Sequence, residues 1–311
     1  MTVCIANVAA KSKAIVMVSD KAVAYSGNML VPLVSDTDAR KFLRIGNTFW
    51  YALLGGDPSF AFNVVKAAER SLEKKSDKKL SDSVGGMMYC MKSAYQKCRE
   101  SAVVDQVLKP RLLSKNLLVA RPITMQPLGE EISLAVLTLA KEFKTNSNLL
   151  ICGFDSKREP HIFSVTNPGK CDLHDTTGFF AVGVGATTAI ARLLILEARK
   201  EDQLGLALYQ AFDAKVNAEV VEDVGFNWDA EILVPGRPAI RVPDRVVRLI
   251  ERAYENLPLT PFASGSRKAA QTMASLKMSA KLAKRLTSFV DSVLSKGDPI
   301  RARRRRQTVA R

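Results

Sequence analysis

Residues 1–25, MTVCIANVAAKSKAIVMVSDKAVAY, decide the fold of this chain. They contain three short runs of apolar and β-branched residues separated by polar ones, which predicts closely spaced strands at 2–8, 14–19 and 22–25. The second run, AIVMVS, is apolar on both of its faces, which is typical of a central strand covered by a layer on each side. The sequence therefore begins with the core of a layered β structure.

The elements that follow come in blocks of one type. The predicted elements after residue 25 are strands at 39–45 and 48–54, helices at 58–74 and 83–108, a short helix at 130–143, strands at 148–155, 161–167, 169–175 and 178–185, helices at 186–200 and 202–222, a strand at 230–236 and a helix at 242–256. Because strands and helices are segregated, the pattern favours a layered α+β fold over the strict alternation of a doubly wound fold.

Length and composition bound the class of protein. A chain of 311 residues that is 47% apolar can bury a large core. Its apolar runs are far shorter than the roughly 20 residues of a membrane span, and no secretory leader precedes the first strand, so we expect a cytoplasmic protein without a transmembrane segment. The five cysteines show no C-x-x-C spacing, and no His, Cys, Asp and Glu cluster has metal-ligand spacing. We therefore expect neither a metal nor a cofactor.

The positive charge is concentrated at the end of the chain. Segment 264–311 has 13 Lys and Arg against two Asp, a net charge of +11, which leaves +4 of the total +15 for residues 1–263. Apolar residues recur every three or four positions between Met273 and Val293, which predicts a helix, and the final RARRRRQTVAR is typical of a disordered end. We expect a domain over 1–263 followed by a basic tail that can bind a polyanion.

Two parts of the chain resemble a known family. The first comprises MTVCIA, AIVMVSDKAVA and DARKFLRIGNTFWYALLGGDPSFAFNVVKAAER, and the second is LLICGFDSKREPHIFSVTNPGKCDLHDTTGFFAVGVGATTAIARLL. Both resemble proteasome β-type subunits and the related bacterial heat-shock peptidase, and the start Met-Thr-Val-Cys resembles a prokaryotic proteasome-like branch. The resemblance covers about 2–98 and 148–234, with an insertion at about 99–147. It implies the four-layer αββα sandwich of the N-terminal nucleophile (Ntn) hydrolases.

The resemblance gives Thr2 the role of nucleophile. Removal of Met1 would make Thr2 the first residue, so that one residue carries both a hydroxyl nucleophile and a free α-amine that serves as its base. Methionine aminopeptidases cut before small second residues such as threonine, so no propeptide would be needed.

Four further positions match the family pattern. Asp20, at the end of the second strand, matches the acid that pairs with a catalytic lysine, and Lys41 matches that lysine. Gly55 matches the glycine whose backbone N–H stabilises the oxyanion, and Leu53 would help line the pocket for the residue before the scissile bond. The resemblance implies that these four residues lie around Thr2.

The sequence departs from the family pattern at two places. Val184, within Gly183-Val184-Gly185, stands where the family usually has a serine that supports the N-terminal amine. A further family acid has no clean match, and four residues stay open as its replacement: Asn217, Glu219, Glu222 and Asp223.

Other chemistries have weaker sequence support. Gly183-x-Gly185 lacks the third glycine of a dinucleotide site, and the only histidines, His161 and His174, lie in separate predicted hairpins. Cys4 lies on the same strand face as Thr2, and we interpret it as a small buried residue.

The resemblance leads to one functional hypothesis and one alternative. The hypothesis is a threonine-type peptidase or amidohydrolase that acts on peptides or unfolded proteins within a homo-oligomeric ring, with an ATPase as a further partner to consider. The alternative is a catalytically inactive scaffold of the same fold whose tail, 264–311, binds a polyanion or a protein partner.

Overall fold

The computed structural model describes residues 2–25, 33–36, 41–73, 75–111, 130–255 and 288. The strands are β1 (Val3–Ala9), β2 (Ala14–Asp20), β3 (Ala22–Tyr25), β4 (Leu33–Asp36), β5 (Phe42–Arg44), β6 (Trp50–Gly56), β7 (Ser147–Phe154), β8 (Pro160–Thr166), β9 (Lys170–Leu173), β10 (Phe179–Gly183), β11 (Trp228–Leu233) and β12 (Ile240–Arg241). The α-helices are α1 (Pro58–Glu73), α2 (Val84–Val103), α3 (Glu130–Glu142), α4 (Ala186–Ile195), α5 (Leu204–Ala218) and α6 (Asp244–Glu255). The chain is of the α+β class.

The first five-stranded sheet is built around the start of the chain. Its strand order is β10-β1-β2-β11-β12, and all of its pairs are antiparallel. Every residue of β1 and β2 is buried, as the apolar run AIVMVS predicted. The tight turn between the two strands places Ala10, Lys11 and Ser12 at positive φ. Strand β1 therefore pairs with β2 from the first half of the chain and with β10 from the second half.

The second five-stranded sheet is an antiparallel meander. Its strand order, β5-β6-β7-β8-β9, follows the chain order, and α1, α2 and α3 are inserted between β6 and β7. Gly153 on β7 lies opposite Trp50 on β6, where a Cβ atom would approach the indole ring to 2.8 Å. Strands β3 and β4 pair with each other in a separate two-stranded hairpin.

Buried apolar side chains form three large clusters. One joins the first sheet to α4, α5 and α6, and a second joins the second sheet to α1 and α2. The third contains side chains from both sheets. Residues of β1 alternate between clusters: Val3 and Ile5 belong to the first, whereas Cys4 and Ala6 belong to the third. This alternation is the period of two expected for a strand that is covered on both faces.

Helix ends differ from the sequence prediction at three places. The helix predicted over 83–108 is α-helical only to Val103 and continues as a wider π turn over Val104–Leu108. The helix predicted over 186–200 ends at Ile195, because Glu197 adopts a left-handed conformation with φ of 50°. The helix predicted over 202–222 spans only Leu204–Ala218.

Two of the predicted regions are described only in part. The predicted insertion at 99–147 contains the end of α2 and all of α3, while 112–129 lies outside the described residues. The predicted tail, 264–311, lies outside them apart from Ser288. Among the helices that are described, none combines the length and the apolar character needed to cross a bilayer.

Candidate active site

Thr2, Asp20 and Lys41 meet in one hydrogen-bonded group. The Thr2 hydroxyl donates a hydrogen bond to Asp20 Oδ1 and accepts one from Lys41 Nζ. Lys41 Nζ also donates to Asp20 Oδ1 over 2.9 Å. Thr2 is 3% exposed, Asp20 is fully buried and Lys41 is 7% exposed. The structure therefore brings together three of the residues that the resemblance selected.

Strand pairing explains how residues so distant in sequence meet. The hairpin register pairs Cys4 with Ser19, so the start of β1 lies beside Asp20 at the end of β2, and Val3 N donates to Asp20 Oδ1 over 2.8 Å. Lys41 precedes the second sheet, where its carbonyl accepts a hydrogen bond from Leu54 N. The group thus spans the two sheets.

Asp20 has hydrogen-bond donors on both of its carboxylate oxygens. In addition to the donors at Oδ1, Gly225 N donates to Oδ2 over 3.1 Å. A buried carboxylate is costly unless it is hydrogen-bonded or paired with a cation, and Asp20 has both kinds of partner. Gly225 is not among the residues predicted from the sequence, because nothing in the loop that follows α5 indicates contact with a residue more than 200 positions earlier.

Lys215 holds the loop that supplies Gly225. Its side chain is fully buried, and its ammonium group donates to the Phe226 carbonyl and to the Glu219 carboxylate. A buried ammonium needs such acceptors because it has lost its hydration. The contact fixes the backbone one residue beyond Gly225, so Lys215 supports the donor to Asp20 from a distance.

Two glycines bring backbone close to Thr2. Gly183 ends β10 opposite Val3 with φ of +104°, and a Cβ atom there would lie 2.0 Å from the Thr2 carbonyl oxygen. Gly55, the penultimate residue of β6, lies next to Gly183: a Cβ atom at Gly55 would lie 3.2 Å from Gly183 N. Cys4 Sγ donates to the Leu54 carbonyl over 3.3 Å, which ties β1 to this end of β6. Gly55 therefore lies at the Thr2 end of β6.

Leu53 lies in the core. It is fully buried in the cluster that contains side chains from both sheets, between Phe42 on β5 and Leu150 on β7. Its role in lining a substrate pocket stays a prediction.

The candidates for the second acid differ in their surroundings. Asn217 donates to Asp213, and Glu219 accepts from Lys215, so both bond to residues of α5. Glu222 is exposed and Asp223 is half-buried with φ of 75°, and both lie in the loop that leads to Gly225. Val184, at the position of the expected serine, is 41% exposed. These contacts and positions leave the choice among the four candidates open.

The surroundings of Cys4 are those of a buried, unreactive thiol. Burial raises the pKa of its thiol to about 12, although the positive charge of Lys41 acts in the opposite direction. The thiol is therefore protonated near neutral pH, and it acts as a hydrogen-bond donor to Leu54 O. This agrees with its interpretation as a small buried residue.

A second group of side chains that can act as metal ligands lies where β7 and β8 are joined. Asp155, Glu159 and His161 place three ligand atoms within 4.8 Å of one another. The group is not among the sites predicted from the sequence, because its spacing is not that of a known metal-binding motif.

A scan against protein-family models and a search of curated proteins found no match to this chain. Arguments about function therefore depend on the geometry of the residues themselves.

Proposed function

We propose that the chain is a proteasome-like Ntn hydrolase with Thr2 as its nucleophile. The observation that carries the proposal is the direct contact of the Thr2 hydroxyl with Lys41 and Asp20 in a buried position. A buried cation at a hydroxyl stabilises the alkoxide that nucleophilic attack requires.

The proposed architecture is the four-layer αββα sandwich. Three observations support it: α4 and α5 pack on the first sheet, α1 and α2 pack on the second, and a separate apolar cluster contains side chains from both sheets. In this arrangement the nucleophile starts a central strand, and Lys41 reaches it from the other sheet.

The reaction would begin with hydrolysis of the Met1–Thr2 bond, which frees the α-amine of Thr2. That amine, through a water molecule, would take the hydroxyl proton as Oγ1 attacks the carbonyl carbon of an amide. Lys41 would stabilise the developing alkoxide, and Asp20 would orient Lys41 and balance its charge.

The acyl transfer would then proceed through a tetrahedral intermediate. The Gly55 N–H would donate to its oxyanion, and collapse of the intermediate would break the C–N bond as the leaving amine takes a proton. Water would hydrolyse the resulting Thr2 ester and regenerate the hydroxyl. The proposed substrates are peptides or unfolded proteins, and the proposed assembly is a homo-oligomeric ring, with an ATPase as a further proposed partner.

The state of the N-terminus tests this proposal. Intact-mass measurement of the purified chain should show loss of Met1, and incubation with a β-lactone should then add one inhibitor mass at Thr2. Thr2→Ala should lose the adduct, whereas Thr2→Ser should keep it because serine retains the hydroxyl. Retention of Met1, or an adduct that persists in Thr2→Ala, would overturn the proposal. Absence of any adduct would favour the inactive scaffold.

A further inference from the structure

The hairpin between β7 and β8 carries a cluster that the proposed reaction does not use. Asp155 follows Phe154 at the end of β7, Glu159 precedes β8, and His161 lies on β8. Because Phe154 pairs with Pro160, the hairpin register sets Asp155 beside Glu159, and the period of two puts Glu159 and His161 on one face. His161 stacks on Trp50, five residues before Gly55 on β6, which is about 17 Å along a strand.

The His161 ring is oriented by a carboxylate. Its Nδ1 lies 2.6 Å from Asp175 Oδ2, and because an ionised carboxylate only accepts hydrogen bonds, Nδ1 is the protonated nitrogen of the neutral ring. The lone pair is then on Nε2. A histidine that donates one N–H to a carboxylate and presents its other nitrogen is the usual arrangement around a protein-bound metal ion. Trp50 stacks on the ring at 13° between planes and further restricts its orientation.

His161 Nε2 is buried and has no hydrogen-bond partner among the described residues. The residue is 9% exposed, and Nε2 faces Asp155 Oδ2 across 3.6 Å, which is too long for a hydrogen bond. Buried polar nitrogens are nearly always satisfied, so this one calls for a partner. It points towards the open oxygen of Asp155, because Oδ1 of that carboxylate already accepts the Glu159 N–H over 2.8 Å.

The spacing of the ligand atoms suits a small divalent ion. Zinc bonds to nitrogen and carboxylate oxygen are about 2.0–2.2 Å long, so His161 Nε2 and Asp155 Oδ2, at their 3.6 Å separation, would subtend about 110–130° at a shared ion, a range that begins at the tetrahedral angle. The Glu159 side chain is exposed and lies within 4.8 Å of both atoms, so a change of its rotamer can complete a third bond. Two carboxylate ligands would also neutralise the charge of the ion.

We propose that Asp155, Glu159 and His161 form a binding site for Zn²⁺ or a similar nitrogen-preferring divalent transition metal ion, with Asp175 as the positioning residue for His161. The imidazole ligand favours such ions over Mg²⁺ and Ca²⁺, which prefer oxygen ligands only. Three protein ligands leave one position of a tetrahedral ion for water. The site clamps the β7–β8 hairpin at the opposite end of the sheet from Gly55.

Titration of the full, untagged chain with ZnCl₂ in a calorimeter tests the site. The chain should bind one equivalent of Zn²⁺, and Glu159→Gln should weaken binding at least about tenfold without a folding penalty, because Glu159 is exposed. His161→Gln should abolish binding, and Asp175→Asn should weaken it about 10–100-fold. Glu142→Gln, which changes an exposed carboxylate on α3, is the matched control and should bind like the parent chain.

Two further measurements sharpen the result. Co²⁺ bound at this site should quench the fluorescence of Trp50, and the quenching should disappear in His161→Gln. Mg²⁺ at the same concentration should not compete with Zn²⁺. The proposal is overturned if the parent chain binds no Zn²⁺, if Glu159→Gln and Glu142→Gln bind it equally, or if Mg²⁺ displaces it.

Discussion

Lys41 Nζ lies 2.9 Å from Asp20 Oδ1, and both charged groups are buried. Neither group can be removed alone without leaving the other as an unpaired charge in the protein interior. Each therefore contributes to stability as well as to the proposed chemistry, and the two contributions can be separated by experiment.

Substitution of Asp20 should destabilise the fold. Asp20→Asn removes the counter-charge of Lys41, and loss of one partner of a buried ion pair costs about 3–5 kcal/mol of unfolding free energy. The measurement is urea denaturation followed by circular dichroism. Asp20→Asn combined with Lys41→Met should recover part of the loss, because it removes the unpaired ammonium. Strictly additive effects of the two substitutions would show that the pair contributes nothing.

Substitution of Lys41 should slow acylation of Thr2. Lys41→Met keeps the aliphatic stem but removes the cation that donates to the Thr2 hydroxyl, so labelling by a β-lactone should slow by about 10²-fold or more. The rate is measured by intact-mass spectrometry over time. Lys13→Met, at an exposed turn position, is the control and should label at the parent rate. Equal rates in the two variants would contradict the proposed role.

The two glycine positions Gly183 and Gly85 should respond oppositely to alanine. Gly183→Ala places a Cβ 2.0 Å from the Thr2 carbonyl oxygen at a φ that alanine disfavours, so it should cost about 2–5 kcal/mol of unfolding free energy. Gly85→Ala, in the first turn of α2 with open space around it, should be neutral or stabilise by up to about 1 kcal/mol. Thermal unfolding of the two variants provides the comparison, and a tolerated Gly183→Ala would contradict the close packing at Thr2.

Cys4 should resist alkylation in the native protein. With a pKa near 12, only about 10⁻⁴ of the thiol is ionised at pH 8, and iodoacetamide reacts with the thiolate. Peptide mapping after brief treatment at pH 8 should find Cys4 unmodified, and the same treatment in guanidinium chloride should modify it. As a functional control, Cys4→Ala should keep the β-lactone adduct at Thr2. Rapid native alkylation would show that the thiol is accessible and ionised.

The basic tail should carry the affinity for polyanions. A chain that ends before Ser264 loses +11 of the +15 net charge and should lose binding to heparin–agarose at low salt. A full-length variant with glutamine at all five arginines of the RARRRR run should elute at lower salt than the parent chain. Undiminished retention of both variants would place the binding surface within residues 1–263.

Local pattern was sufficient to predict the first hairpin. The predicted strands at 2–8 and 14–19 agree with β1 and β2 to within one residue at each end. The prediction succeeds because two apolar runs and the polar turn between them are adjacent in the sequence. The resemblance selected Asp20 and Lys41, which do contact Thr2. Hydrophobic pattern alone could not have identified Lys41 as a neighbour of Thr2, because the local sequence does not indicate which part of the other sheet packs against the start of β1.

Two features of the structure were not predicted from the sequence, and only the first depends on contact between distant segments. Gly225 reaches Asp20 through the packing of α5 and its following loop, which depends on the whole fold. The cluster of Asp155, Glu159 and His161 is different, because the three residues are close in sequence and a local pattern could have predicted that they meet. The predicted strands at 148–155 and 161–167 are joined by a short loop, which would have placed Asp155, at the end of the first strand, near Glu159 and His161 at the start of the second.

The position of β1 between β10 and β2 determines when the proposed active site around Thr2 can be assembled during protein synthesis. Gly183 and Gly225, which border Thr2 and its partner Asp20, are synthesised long after Thr2 itself. Contacts of such long sequence separation form late in folding. A nascent chain would thus carry Thr2 without the surroundings that the proposed reaction needs until Gly183 and Gly225 have been made, and the order of translation itself would delay the proposed activity.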